Sequence, residues 1–387
     1  MLRLSIVTAP EYPLLPAPSA VKLSDRRFPD APPASVIRVL LWLRGAVATL
    51  ARSLGPAELC IFEQATAGAL LHVLGALVRA GVPEALSAGP LGAEQLADRT
   101  GLNADAVFRT LRCASLQGYF RLRADGRFEH NSRSRALSGG GLGRAREFVL
   151  YFSSGSNQAA WGAFDHALRT GRSPFDHVHG MTIWEWFERH ADEREMFAHG
   201  MMGKSVADAP VLARIYPFAE LGNLCDVGGG RGTLLSELLI RHRHLRGTLY
   251  ESPSVLESAR ELLAARGVLE RVRLVPGSFF EGVPEGADAY LLKNILHDWD
   301  DERCAIILRH VRAAAKAGSR VLIAESVVER YSRDPLAVPA DLQMMVACSD
   351  GRERSRAEFQ SLLEKTGFRQ GRIFSYPTIS VLEGIAA

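Results

Sequence analysis

Eight consecutive residues, Asp226-Val227-Gly228-Gly229-Gly230-Arg231-Gly232-Thr233, begin in a short apolar run and lead into a helical stretch. Glycines there let the backbone approach a ligand closely, and a helix N-terminus presents free N–H groups. Such a loop binds the polar part of a small cofactor. A dinucleotide fingerprint starting at Gly228 needs glycine at 233, where Thr233 stands; a P-loop needs Gly-Lys-Ser/Thr, which is absent. Glu251 follows 25 residues after Asp226, behind the apolar run Gly247 to Tyr250. A carboxylate at that place can accept both hydroxyls of a ribose. Further on, Gly277-Ser278-Phe279-Phe280 offers an apolar face and a polar edge contact suited to an adenine. Taken singly, a glycine turn can be purely structural and Glu251 a solvated loop residue.

The loop reads D-x-G-x-G-x-G, the pattern typical of S-adenosylmethionine binding. The segment Leu292-Lys293-Asn294-Ile295-Leu296-His297-Asp298-Trp299-Asp300-Asp301 adds an imidazole beside carboxylates. With both motifs in this order, the chain resembles the plant caffeic-acid-type and bacterial secondary-metabolite O-methyltransferases over about residues 60–387. Thr170 to Phe175 and Gly351 to Ser355 look like further landmarks of that family. The resemblance implies S-adenosylmethionine as cofactor, S-adenosylhomocysteine as its product, and an aromatic or polyketide-like hydroxyl as methyl acceptor. It implies His297 as general base, with Glu325 and Glu353 orienting it. A carboxylate on Nδ1–H fixes the tautomer that leaves Nε2 free to take a proton. Asp226, Gly228, Gly230, Glu251, Ser278, Phe279 and Lys293 are implied at the cofactor. Trp161, Met201, Asn294, Met344 and Met345 are expected at the acceptor. Many relatives carry Asp where Ser278 stands, so one charge and one acceptor oxygen are missing. Asp298 reads as a structural residue that caps the helix near Asp300, or as part of the site. No His/Cys/Asp cluster has metal-ligand spacing, so no metal is expected.

These residues need elements to position them. From Leu221 onward short apolar strands alternate with helices: Asn223 to Val227, Gly247 to Tyr250, Val272 to Val275, Ala289 to Leu292 and Val321 to Ala324. That alternation predicts a parallel, doubly wound, Rossmann-like α/β domain, closed by two edge strands within Arg372 to Ile385. Upstream, a helix with Leu70, Leu71, Leu74, Leu77 and Val78 on one face ends at Gly81-Val82-Pro83. A short helix over Ala93 to Arg99 and a second from Ala104, carrying Val107, Leu111 and Leu116 inward, follow. A hairpin turning at Asp125-Gly126 completes a winged helix. The expected domains are an N-terminal tail and extra helix (1–60), a winged-helix-like dimerisation domain (61–145), a helical pocket wall (146–220) and the cofactor-binding domain (221–387). Relatives exchange N-terminal helices, so a homodimer is expected, with the Leu70–Val78 stripe as its face. Residues 1–34 are Pro-rich and read as a mobile tail. The apolar run Val36 to Leu43 carries Arg38 and precedes Arg44; it reads as an amphipathic helix too short and too charged to span a bilayer.

Composition bounds the function. The chain has 387 residues and a net charge of +3, with 41 Arg and five Lys, one of which is Lys293. Residues 1–150 hold 18 basic and 12 acidic side chains, yet the second helix of the winged helix carries only Arg109 and Arg112. A recognition helix shows more polar, base-reading residues, so a DNA-binding regulator is the weakest alternative and no nucleic-acid partner is expected. Five widely spaced cysteines without C-x-x-C argue for reduced thiols and a cytoplasmic setting. A second alternative keeps the scaffold but uses bound cofactor for hydroxylation, decarboxylation or cyclisation. Retention of His297, Glu325 and Glu353 favours methyl transfer.

Overall fold

The computed structural model describes residues 27–139 and 144–387. It divides into two compact units, one built from 55–159 and 192–200, the other from 27–54, 160–191 and 201–387.

In the first unit the Ala69–Arg79 helix stops where Gly81 turns left-handed (φ 71°), and Pro83 starts the next turn. The helices Ala93–Thr100 and Ala104–Leu116 follow; the Asn103 side chain accepts from the Ala106 N–H at 2.9 Å and caps the latter. Strands β1 (Arg121–Leu122) and β2 (Phe128–Glu129) pair antiparallel across a turn in which Asp125 accepts from the Arg127 N–H. Leu77, Val82, Leu96, Val107, Leu111, Phe120 and Phe128 form the core of this winged helix. Two expectations change. Leu116 is 85% exposed, because the helix ends there and its last turn leaves the core. The stripe assigned to dimer contact is mostly internal: Leu74 and Val78 are buried with Leu137 and Leu150 of the same unit, and Leu77 joins the winged-helix core. The apolar side chains left exposed on this unit include Leu59, Ile61 and Phe62, on the Ala57–Ala67 helix.

The second unit is built on a seven-stranded sheet. Its strands are β3 (Asn223–Val227), β4 (Arg246–Glu251), β5 (Val272–Pro276), β6 (Ala289–Lys293), β7 (Arg320–Glu325), β8 (Phe368–Ser375) and β9 (Ser380–Ala386), in the order β5-β4-β3-β6-β7-β9-β8. β3 to β7 run parallel, and β9 is antiparallel to both its neighbours. The strand order reverses at β3, so a crevice opens beyond the carboxyl ends of β3 and β6, the place where such sheets bind ligands. Asp226, Glu251, Lys293 and Glu325 all stand at or next to the C-terminal ends of their strands. Chain order and sheet order together thus bring four charged side chains to one edge of the sheet.

Residues 1–26 of the expected tail lie outside the described residues, and for 27–34 the expectation of a mobile tail is corrected. From residue 27 the chain is docked on this unit. The Phe28 ring is buried beneath the Arg266 guanidinium (4.4 Å), and its N–H donates to the buried Glu237 carboxylate at 3.0 Å. Arg241 donates to the Phe28 carbonyl, Arg214 to that of Ala31, and the Tyr376 hydroxyl to that of Pro32. The following helix, Ala34–Ser53, runs well past Arg44 to 20 residues. Val36, Val39, Leu40, Leu43, Val47 and Leu50 are exposed along one side, with Arg38 and Arg52 opposite and Arg44 at its flank at about 3.6 residues per turn. This helix and the stretch Ala57–Arg79 are long and apolar enough to cross a membrane by length and composition alone; the helix is longer than the Val36 to Leu43 run suggested.

Candidate active site

The glycine loop is shaped by its backbone. Gly228, Gly230 and Gly232 have φ of 68°, 57° and 74°, a region that L side chains disfavour. A Cβ on Gly228 would stand 2.6 Å from Ile295 Cδ1, whereas one on Gly230 would meet nothing within 4 Å, so the loop is open there. Gly232 leads into the Thr233–Arg241 helix. The Gly230 N–H donates to Glu251 Oε2 at 2.9 Å, and the Ser252 N–H donates to Oε1 at 2.7 Å. Glu251 is thereby fixed beside the loop with lone pairs left for a diol. Asp226 lies beneath the loop: its side chain is buried, Oδ2 lacks a hydrogen-bond partner, and a Cβ on Gly229 would touch it. Burial pushes its carboxyl up to about 7, against the pull of Lys293.

Lys293 ends β6 and is itself buried. Its Nζ lies 3.2 Å from Asp208 Oδ2 and donates to Ser205 Oγ. Burial lowers its pKa while Asp208 opposes the shift. Asp208, which also pairs with Lys204, was not singled out from the sequence; it sits on the distant Ala191–Ile215 helix. Past β5, Ser278 Oγ accepts from the Phe280 N–H. Phe279 and Phe280 meet Trp299 edge-on, and Trp184 stacks on Trp299 at 5.8 Å. Trp184, from the expected pocket-wall segment, and Trp299 together form an aromatic wall here. Open glycine backbone, a fixed carboxylate and an aromatic cluster with a hydroxyl fit the amino-acid, ribose and adenine parts of S-adenosylmethionine.

His297 sits on a single helical turn, Leu296–Asp298, just beyond β6. Asn294 begins the bend with φ 55°. His297 Nδ1 is 3.0 Å from Glu353 Oε1, and Nε2 is 3.6 Å from Asp298 Oδ1. Glu325 Oε1 accepts from the N–H groups of Ile295, Leu296 and His297 at 3.1, 2.6 and 3.3 Å. The two glutamates therefore act at different points: Glu353 on the ring, Glu325 on the backbone that carries it. Burial by itself would lower the His297 pKa, but Asp298, Glu353 and Glu325 outweigh it and raise it to about 9. Burial lifts Glu325 to about 7 and Asp298 to about 6. Helix capping belongs to Asp300, whose Oδ1 accepts from the Arg303 N–H at 2.7 Å, and not to Asp298. One ligand atom from each of His297, Glu325 and Glu353 lies within 4.8 Å of the others, a cluster that linear spacing hid. In this structure His297 Nδ1 is already hydrogen-bonded to Glu353, and Glu325 Oε1 to the N–H groups of the turn.

The residues expected at the acceptor come from several elements. Trp161 Nε1 donates to Gln343 Oε1 at 2.9 Å, which ties it to the Ala337–Ala347 helix that bears the half-buried Met344 and Met345. Met201 is half-buried on the Ala191–Ile215 helix. Asn294 is half-buried at the bend before His297, with Oδ1 unpartnered. Gln343 is buried and was missed, because its partner lies 182 residues away.

Comparison with known proteins agrees with this geometry. The chain is 38% identical over 314 residues to the mitomycin biosynthesis 6-O-methyltransferase of Streptomyces lavendulae, covering 81% of this chain and 88% of that protein. Its fold matches a solved mitomycin 7-O-methyltransferase with a TM-score of 0.80 and 34% identity, over 88% of this chain and 100% of the other. It also matches an O-methyltransferase from neocarzinostatin biosynthesis, solved with S-adenosylmethionine and a hydroxy-methyl-naphthoic acid, with a TM-score of 0.72 and 28% identity, over 82% and 96% of the two chains. Residues 161–369 match the O-methyltransferase domain family, and the chain belongs to that family of S-adenosylmethionine-dependent enzymes.

Proposed function

We propose that the protein transfers a methyl group to a hydroxyl of an aromatic or polyketide-like small molecule, with His297 as general base. The observation that carries this reading is the buried His297–Glu353 pair on the turn directly after β6, next in the sheet to the glycine loop of β3. When bound, S-adenosylmethionine supplies an electrophilic methyl on a sulfonium. Gly228, Gly230, Glu251, Ser278, Phe279 and Lys293 would hold it. The protein's own task is at the acceptor oxygen. Glu353 accepts from Nδ1–H, so Nε2 is the atom that receives the phenolic proton. At neutral pH His297 rests as imidazolium, and its Nε2 proton must leave before an acceptor can use it. Asp298, Glu325 and Glu353 then stabilise the imidazolium that forms again as the hydroxyl is deprotonated. Trp161, Met201, Asn294, Met344 and Met345 are read as the acceptor's surroundings; methionine and aromatic walls suit flat, apolar compounds.

The activities of the relatives support the acceptor class, and they name methyl transfer. The test is incubation with S-adenosylmethionine and a panel of phenols and hydroxynaphthoates. Methyl ether and S-adenosylhomocysteine are expected in equal amounts. A modified product without stoichiometric S-adenosylhomocysteine contradicts the reading. We also read the N-terminal unit as the dimer contact of a cytoplasmic enzyme, supported by the exposed Leu59, Ile61 and Phe62 in place of the buried stripe.

A further inference from the structure

The segment 351–354 runs along the His297 turn and grips it repeatedly. The Arg352 N–H donates to the His297 carbonyl at 2.8 Å, and Glu353 takes the ring. Gly351 permits the approach, since a Cβ there would stand 2.8 Å from the same carbonyl. Arg354 is the last of the four, and its side chain is fully buried. Nη1 donates to the Leu296 carbonyl at 2.7 Å and Nη2 to the Trp299 carbonyl at 2.7 Å, while Nε donates to Asp301 Oδ1 at 2.9 Å. The two carbonyls bracket His297 and Asp298 on both sides. The backbone of Arg354 is itself fixed, bridged to Val327 and accepting from the Val328 N–H at 3.0 Å, just beyond Glu325 of β7.

We propose that Arg354 is a positioning residue for His297. Its planar fork sets the backbone on either side of the base, from below, while Glu325 gathers the N–H groups of the same turn. The turn is a single helical turn, closed only by the Asp298 N–H to the Ile295 carbonyl at 3.3 Å and the Trp299 N–H to the Leu296 carbonyl at 3.2 Å, so its placement depends on groups outside it. Only a guanidinium offers three donors in a fixed plane to two carbonyls and a carboxylate; a lysine ammonium cannot span them. A slip of the imidazole relative to the acceptor oxygen is costly, because misplacement by about 1 Å can cost on the order of 10²-fold in rate.

This inference rests on His297 being the base, and the test separates the two. Arg354→Lys and Arg354→Gln are made in the wild-type and His297→Ala backgrounds, and kcat, acceptor KM and S-adenosylmethionine Kd are measured. In the wild-type background kcat falls by about 10- to 100-fold with both binding constants little changed. In the His297→Ala background the same substitutions cost nothing further, because residues acting through one group are not additive. An equal loss in both backgrounds, or a loss confined to cofactor binding, overturns the proposal. Should the Arg354 variants not fold, Asp301→Ala removes the acceptor of Nε from an exposed position; a several-fold loss of kcat confined to the His297 background is then expected, and an equal loss in both backgrounds overturns the proposal. If His297→Ala itself turns over normally, the base assignment falls, and the Arg354 proposal falls with it.

Discussion

The two ends of the site are built by different physics. At β3 and β4 the work is done by backbone: three glycines in left-handed conformation, open space above Gly230, and one carboxylate fixed by two N–H groups. At β6 and β7 it is done by buried charge: His297 among Asp298, Glu325 and Glu353, with Arg354 beneath the same turn. We read the first arrangement as the cradle of the cofactor. We read the second as the end that handles a proton; its charges hold the imidazole above its ordinary range. Cofactor affinity is thus expected to be set at the glycine end, and turnover with its pH dependence at the histidine end.

Substitutions can break that separation. The largest effect is expected from His297→Ala, which should lower kcat by about 10²–10⁴-fold while the Kd for S-adenosylmethionine stays near wild type. A parallel loss of cofactor affinity in calorimetry would show that the two ends are not independent. Glu251→Ala is the mirror experiment. Losing hydrogen bonds to an ionised group costs about 1.5–3 kcal/mol, so Kd should weaken on the order of 10- to 100-fold, with kcat at saturating cofactor retained. A kcat that collapses even at saturation would contradict it. The smallest effect is that of Ser278→Asp, which restores a charged acceptor beside Phe279. Affinity should tighten by about three- to tenfold, and unchanged binding would mean that position 278 does not reach the cofactor.

The same contrast explains what could be read in the sequence. The glycine loop and Glu251 lie within about 25 residues, each next to a strand, and alternation of strands and helices located them without help. The winged helix was legible for the same reason: Asn103, Gly81-Val82-Pro83 and Asp125-Gly126 are local stop and start signals. The histidine end was not local. Glu325 and Glu353 were reached only through resemblance, and their division of labour, one on the ring and one on three N–H groups, required coordinates. Asp208 and Gln343 were missed because each meets its partner from a distant part of the chain; Arg354 lay inside the landmark Gly351 to Ser355, but its grip on the His297 turn is likewise a long-range contact and gave it no role in the sequence. The exposed face of Ala34–Ser53 and the docked Phe28 were hidden by the opposite difficulty: an apolar pattern tells which residues share a face, not whether that face is covered. Leu70 to Val78 shows the converse, an apolar stripe read as a surface that proved to be core.

The central claim is that His297 is the proton acceptor, and the pH dependence of kcat/KM tests it most directly. In the wild type the rate should climb with pH toward about 9, because the base form appears only as the imidazolium loses its proton. Glu353→Gln removes one of the carboxylates that hold the proton on, so its rising limb should move to lower pH. His297→Ala should lose that limb altogether. A rising limb of the same position in His297→Ala would assign the ionisation to another group and contradict the account.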